Sequence, residues 1–325
     1  MDWPLNAFAT AEDGTRLFWR ASRSSPVVGI PDVVLCDGIG CDGFAWRYLT
    51  RALGRDRRVL HWHYRGHGRS GPPGDPDRLD VATLARDLVR VLDDAGAARV
   101  VAIGHSMGTQ VVLEAYRIAP ERVAGLGLLC GGAGRITETF HGTRLLHEWL
   151  PRLVDGATRH IGLARAIWRA VPAGLAFPVA RLLRELDRQA IRFEDFRAYW
   201  DHVGLVDPAV FLKMLRAAGE HSAEDLLERI DVPTLVVSAE HDTFTPASVS
   251  AAMAARIPGA EHVLVRGASH AAPVEHPVPI QQALERLLDR VTEREATLKP
   301  APADVAVETE PGSASRAARS APGAG

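Results

Sequence analysis

The sequence predicts an α/β fold: a mostly parallel central sheet flanked by helices, with a helical cap inserted after the sixth strand. Three observations carry this. Short apolar runs alternate with amphipathic stretches through residues 1–133. Only helix-like segments fill residues 134–220, and the strand pattern returns over residues 221–295. Strands alternating with helices imply parallel βαβ units covered on both faces.

The elements follow in order. "FATAEDGTRLFWRAS" predicts a hairpin turning at Asp13-Gly14. "PDVVLCDG" is a buried strand ending in glycine, and "GFAWRYLTRAL" has helical spacing at Phe44, Tyr48 (or Trp46, Leu49) and Leu53. "RRVLHWHY" is a strand, followed by the loop "RGHGRSGPPGDPD". In "VATLARDLVRVLDDAG" Val81, Leu84, Leu88, Val91 and Leu92 share one helical face, and Gly96 ends the helix. "ARVVAIG" is a strand, "MGTQVVLEAYRIAP" a helix closed by Pro120, and "VAGLGLLCGG" the sixth strand. The insertion holds "TRLLHEWLPRLV", "LARAIWRAV", "VARLLRELDRQAI" and "PAVFLKMLRAAG". Two strands, "DVPTLVVSAEHD" and "EHVLVRGASH", are each followed by a helix. From residue 296 the chain is rich in Ala, Pro, Gly and Ser, which predicts a disordered tail to residue 325.

Composition excludes several classes. The 325 residues are 46% hydrophobic and 24% charged, with a formal charge of -2. That is an ordinary globular balance, with no basic footprint for nucleic acid and no polybasic stretch for anionic lipid. Three cysteines (Cys36, Cys41 and Cys130) without a CxxC pair argue against a disulfide framework or a zinc site, and fit a reducing cytoplasm. The N-terminus has no signal-peptide pattern, and no run of about 18 apolar residues exists to span a membrane.

The chemistry begins in "VVAIGHSMGTQVVLEAY", where a buried strand meets a helix at Gly104-His105-Ser106-Met107-Gly108. This is G-x-S-x-G, a strand-to-helix turn that pushes a serine hydroxyl out above the sheet. The glycines remove side chains that would collide, and the helix N-terminus favours developing negative charge. A serine hydroxyl needs a base. His270 lies in a loop of small residues after the last strand, at the edge where the strands' carboxyl ends gather. Asp242, just after the preceding strand, is the acid that would orient it; Glu240 is its nearest rival. The order Ser106, Asp242, His270 suits this sheet type. The loop "LCDGIGCDG" and the helix start would supply two amides, Ile39 and Met107, to an oxyanion hole.

In these residues the chain resembles the α/β-hydrolase superfamily over roughly residues 7–294. The motifs are "CDGIG", "HYRGHGRSGPP", "GHSMG", "DVPTLVVSAEHD" and "GASH". The resemblance is to the capped group of esterases, cofactor-free perhydrolases and carbon–carbon bond hydrolases. It implies a serine hydrolase opening an ester or related acyl bond of a small, largely apolar substrate through an acyl-enzyme, without a cofactor or a metal. Carbon–carbon hydrolysis, lactone opening, perhydrolysis, and a ligand-binding role without turnover are its alternatives. The oxyanion loop of this family usually opens His-Gly; here it is Asp37-Gly38. His61, His63 and His67 invite a metal reading, but companion carboxylates are missing and Arg65 and Arg69 would repel a cation. His105 is read as a packing residue. The insertion's aromatics, from Phe140 to Trp200, fill the cap's own core and line part of an apolar pocket.

Overall fold

A computed structural model describes residues 3–138, 145–182, 187 and 190–298. The N-terminal hairpin joins β1 (Leu5–Thr10) to β2 (Arg16–Ala21), with Gly14 in the left-handed region at φ 82°. Parallel strands follow: β3 (Asp32–Cys36), β4 (Val59–Trp62), β5 (Val100–His105), β6 (Val123–Leu129), β7 (Thr234–Ala239) and β8 (Glu261–Val265). The eight-stranded sheet has the order β1-β2-β4-β3-β5-β6-β7-β8, and only the pairings of β2 are antiparallel.

Successive side chains of a strand point to opposite faces, so each central strand feeds two cores. Val34, Ala102 and Val236 pack on one face with α2 (Val81–Asp94), α3 (Met107–Ile118) and α9 (Ala247–Arg256). Val33, Leu35, Val101, Ile103, Leu235 and Val237 pack on the other with α1 (Thr50–Leu53) and α11 (Pro277–Leu298). These strands are apolar on both faces because both are covered. Asp80 caps α2 by accepting from the Thr83 amide at 2.8 Å, and Gly96 ends it at φ 60°.

Between β6 and β7 run α4 (Leu145–Arg159), α5 (Ile161–Ala170), α6 (Ala173–Leu182), α7 (Phe193–Val203) and α8 (Pro208–Glu220). Among the described residues, no helix is long and apolar enough to cross a membrane.

Three local expectations need correction. "GFAWRYLTRAL" is a 3-10 turn at Phe44–Trp46 and the single turn α1, since Leu49 and Ala52 donate to carbonyls three residues back, not four. That tighter winding puts Trp46, Leu49 and Leu53 together in the core. Helix α7 lies in the stretch expected to hold only helix-like segments and carries Phe193, Phe196, Tyr199 and Trp200. Of the expected helix "VARLLRELDRQAI", Val179 to Leu182 are the end of α6 and residues 187, 190 and 191 are not helical; residues 183–186 and 188–189 lie outside the described residues, as does Phe140. Helix α11 reaches Leu298, past the expected start of the tail; residues 299–325 lie outside the described residues.

The strand-to-helix junction is a close approach of backbone to backbone. A Cβ on Gly104 would run into the Gly108 carbonyl, and one on Gly108 into the Cys36 carbonyl oxygen. Both obstacles are backbone, so neither can swing aside. Gly108→Ala should therefore lower stability by roughly 1–3 kcal/mol through overpacking, read as a lower urea midpoint, while Gly156→Ala, with open space around its Cβ, should not.

Candidate active site

The elbow places Ser106 between β5 and α3 at φ 57°, ψ −123°, a conformation few non-glycine residues adopt. It is held because the Ser106 amide donates to the Leu129 carbonyl at 2.9 Å and its own carbonyl accepts from Thr109 at 3.0 Å. The hydroxyl stands at the first turn of α3, whose leading amides have no partner within the helix.

His270 arrives from the segment after β8. Its Nε2 lies 2.9 Å from Ser106 Oγ, and its Nδ1 lies 2.9 and 3.0 Å from the two carboxyl oxygens of Asp242. A carboxylate only accepts, so Nδ1 carries the proton and the lone pair of Nε2 faces the serine hydroxyl. Asp242 is fully buried on its side chain; its Oδ1 also accepts from the amides of Phe244 and Thr245 at 2.9 and 2.8 Å. The sequence-predicted Ser106, His270 and Asp242 thus meet in one hydrogen-bonded row. The rival Glu240 points elsewhere and accepts from the Gly267 amide.

Met107 is the first residue of α3, adjacent to Ser106. The loop 37–41 lies against the serine: a Cβ on Gly38 would touch Ser106 Cβ at 3.1 Å. Within this loop the Gly40 amide donates to His67 Nε2 at 3.2 Å and the Cys41 amide to the Gly38 carbonyl at 3.3 Å. The Gly40 and Cys41 amides are therefore committed within the protein. Gly40 itself sits at φ 75°, and a Cβ there would meet Val203 of α7 and Phe211 of α8 at 3.1 and 3.2 Å. The inserted helices rest on this loop.

The histidines of "HWHYRGH" brace it from below. His67 accepts from Gly40, so its other nitrogen Nδ1 donates to the Arg65 carbonyl at 3.2 Å. His61 Nδ1 accepts from Arg20 Nε at 3.1 Å, so Nε2 donates to Asp37 at 2.7 Å. His63 Nδ1 accepts from the Arg69 amide at 2.8 Å. Asp37, where the family usually has histidine, is buried; its carbonyl accepts from the Tyr64 hydroxyl at 2.7 Å. Burial pushes the Asp37 carboxyl up to about 7, partly offset by the Arg20 cation. Burial, and then Arg20, holds His61 well below the usual histidine range. His67 and His105 are pushed down to about 4, mainly by burial.

His105 does more than pack. Its Nε2 donates to the His270 carbonyl at 3.0 Å. Neither this bond nor the role of His67 leaves a mark in sequence periodicity, because both depend on loops distant along the chain.

A sheet of this order, with a strained serine elbow over its carboxyl edge, is the architecture of an α/β hydrolase. The chain belongs to that family: the model of the alpha/beta hydrolase fold matches residues 31–277. It is a hydrolase of that superfamily. A relative from Klebsiella pneumoniae (strain 342), named "Putative carbamate hydrolase RutD", is 31% identical over 247 residues, covering 76% of this chain and 87% of its own. Two solved structures share the fold. An esterase from Thermogutta terrifontis has a TM-score of 0.71 at 23% identity, covering 89% of this chain and 99% of its own. An enol-lactonase from Burkholderia xenovorans LB400 has a TM-score of 0.71 at 24% identity, covering 87% and 100%.

The buried histidines set a pH dependence. His67 and His105 titrate near 4 folded and near 6.5 unfolded, so between those values only the unfolded chain takes up their protons. Their stabilising contribution is whole above about pH 6.5 and is lost as pH falls towards 4. His61 and His63 are lowered too and act in the same direction, while Asp37 and Glu275, whose values are raised, oppose it. The thermal midpoint should fall as pH drops from 6.5 to 4, and His67→Gln should flatten that slope in calorimetry.

Proposed function

We propose that the protein hydrolyses an ester or related acyl bond of a small, largely apolar substrate through an acyl-enzyme on Ser106. The observation that carries this reading is the row from Ser106 Oγ through His270 to Asp242, with contacts of 2.9 to 3.0 Å. His270 Nε2 removes the hydroxyl proton as Oγ attacks the carbonyl carbon. Asp242 fixes the imidazole tautomer and stabilises the imidazolium that forms. The amides of Met107 and Ile39 receive the tetrahedral oxyanion. The imidazolium then protonates the departing alcohol. In the second half, His270 takes a proton from water, hydroxide attacks the acyl carbon, and Oγ leaves with the proton returned to it.

Residues 134–220 act as a cap over this site. The contacts of Val203 and Phe211 with Gly40 support that reading. So does the apolar group that joins Ala176 of α6 and Phe196 of α7 to Ala271, next to His270, with Phe44 packed on it. The ring of Phe244 lies 4.8 Å from that of His270. These apolar neighbours suit an apolar substrate portion. The relative's name keeps carbamates among the acyl compounds to assay.

Ser106→Ala should abolish labelling by a fluorophosphonate and lower turnover of a short p-nitrophenyl ester by about 10³-fold or more. Turnover that survives in this variant would remove the acyl-enzyme from the reaction. Asp242→Asn should keep the fold yet cost on the order of 10³- to 10⁴-fold in kcat, because the amide favours the wrong imidazole tautomer.

A further inference from the structure

His270 belongs to no strand or long helix. It sits between Gly267, at φ 72°, and the single-turn helix α10 (Ala272–Glu275). Nothing in regular secondary structure sets the position of its Cα, yet its imidazole meets both Ser106 and Asp242 at hydrogen-bond distance. What holds this segment is a set of hydrogen bonds from three separate elements. The His241 amide donates to the Ala268 carbonyl at 2.8 Å. His105 Nε2 donates to the His270 carbonyl at 3.0 Å. Glu275 takes the residue before His270 with both oxygens: Oε2 accepts from the Ser269 amide at 2.8 Å, and Oε1 from the Ser269 hydroxyl at 2.7 Å. The Ser269 hydroxyl oxygen in turn accepts from the Ala271 amide at 3.3 Å. The side chains of His105 and Glu275 are both buried, with 5% and 7% exposure, so water does not compete for these bonds.

We propose that His105 and Glu275 are positioning residues: they clamp the main chain on either side of His270, and so set the distance from its imidazole to the Ser106 hydroxyl. The inference rests on the triad reading above. His105 is the residue immediately before Ser106, so its bond ties the strand that carries the nucleophile directly to the segment that carries the base. A shift of either part is transmitted to the other through one side chain. Burial holds the His105 imidazole neutral at ordinary pH, which leaves one N–H to donate, and the His270 carbonyl receives it. Glu275 acts from the opposite side, closing the turn 269–275 back on itself.

The test compares kcat and KM for a short p-nitrophenyl ester, the rate of fluorophosphonate labelling per folded molecule, and the urea midpoint. The variants are His105→Leu, His105→Gln, Glu275→Gln and Ser106→Ala in the full chain. His105→Leu removes the donor and should lower kcat by about 10- to 100-fold with KM within about twofold. His105→Gln restores an N–H donor and should recover most of that loss. Glu275→Gln puts an amide donor in place of one acceptor for Ser269, and should lower kcat by about tenfold with KM again unmoved. Should His105→Leu fail to fold, Glu275→Gln, which keeps size and one acceptor, decides the matter alone. Wild-type kcat in His105→Leu or Glu275→Gln, a fall that only follows the folded fraction, or His105→Gln no better than His105→Leu overturns the clamp. Ser106→Ala separates the two readings. Turnover persisting there overturns the triad itself, whereas an inert Ser106→Ala beside a fully active His105→Leu overturns only the clamp.

Discussion

The start of α3 lies against the end of β3, and only hydrogen atoms fit at Gly104 and Gly108 where the two meet. From that contact the rest of the site follows. The elbow closes so tightly that Ser106 takes up a left-handed φ, which turns its side chain out of the core and over the carboxyl edge of the sheet. The strain of that turn is held by packing on both sheet faces and by the bond from the Ser106 amide to β6. Loop 37–41 is drawn to the serine by the same closeness.

A second constraint is electrostatic. In and beneath loop 37–41 lie three histidines, one aspartate and one arginine, most of them buried and each bonded to a protein partner. Charged imidazoles in such a place would be costly, and burial keeps these rings neutral. A neutral ring has one donor and one acceptor, so each partner fixes the tautomer of the ring it bonds, and the Gly40 amide is spent on His67. Asp37 bonds His61, which gives the departure from the usual His-Gly opening a structural role.

The inserted helices meet the α/β core in part at the loop beside the serine. A Cβ on Gly40 would meet Val203 and Phe211, and one on Gly66 would meet Val210 of α8 at 3.1 Å. Tyr199 of α7 stacks near Phe44 at 5.1 Å, and Asp195 accepts from the Tyr48 hydroxyl at 2.9 and 3.0 Å. The inserted helices thus touch both loop 37–41 and the segment that carries His270. On the proposed function, substrate shape would be read where those contacts are made. A cavity of about 560 Å³ lies apart from Ser106 between α4, α8 and the loop before α2, and is lined by charges of both signs. Its lining shares no residue with the serine's surroundings and does not suit an apolar substrate.

Sequence alone determined the alternation of strands and helices, the place of the insertion, and Ser106, Asp242 and His270. Each of these has a local signature: an apolar run, a helical period, a glycine pair, or a residue just past a strand end. Local pattern was weakest where winding answers to a distant surface. The tight turn at Phe44–Trp46 follows the demands of the core behind it, and α7 carries aromatics with partners in other elements, Tyr199 against Phe44 and Phe193 and Phe196 against Phe177 of α6. Only the tertiary structure decided that His105 bonds the carbonyl of His270, that Glu275 holds Ser269, and that His67 takes the Gly40 amide. Those bonds join residues as far as 165 positions apart. Their existence depends on how the sheet brings loop ends together, and a hydrogen bond of that span imposes no period on the chain that makes it.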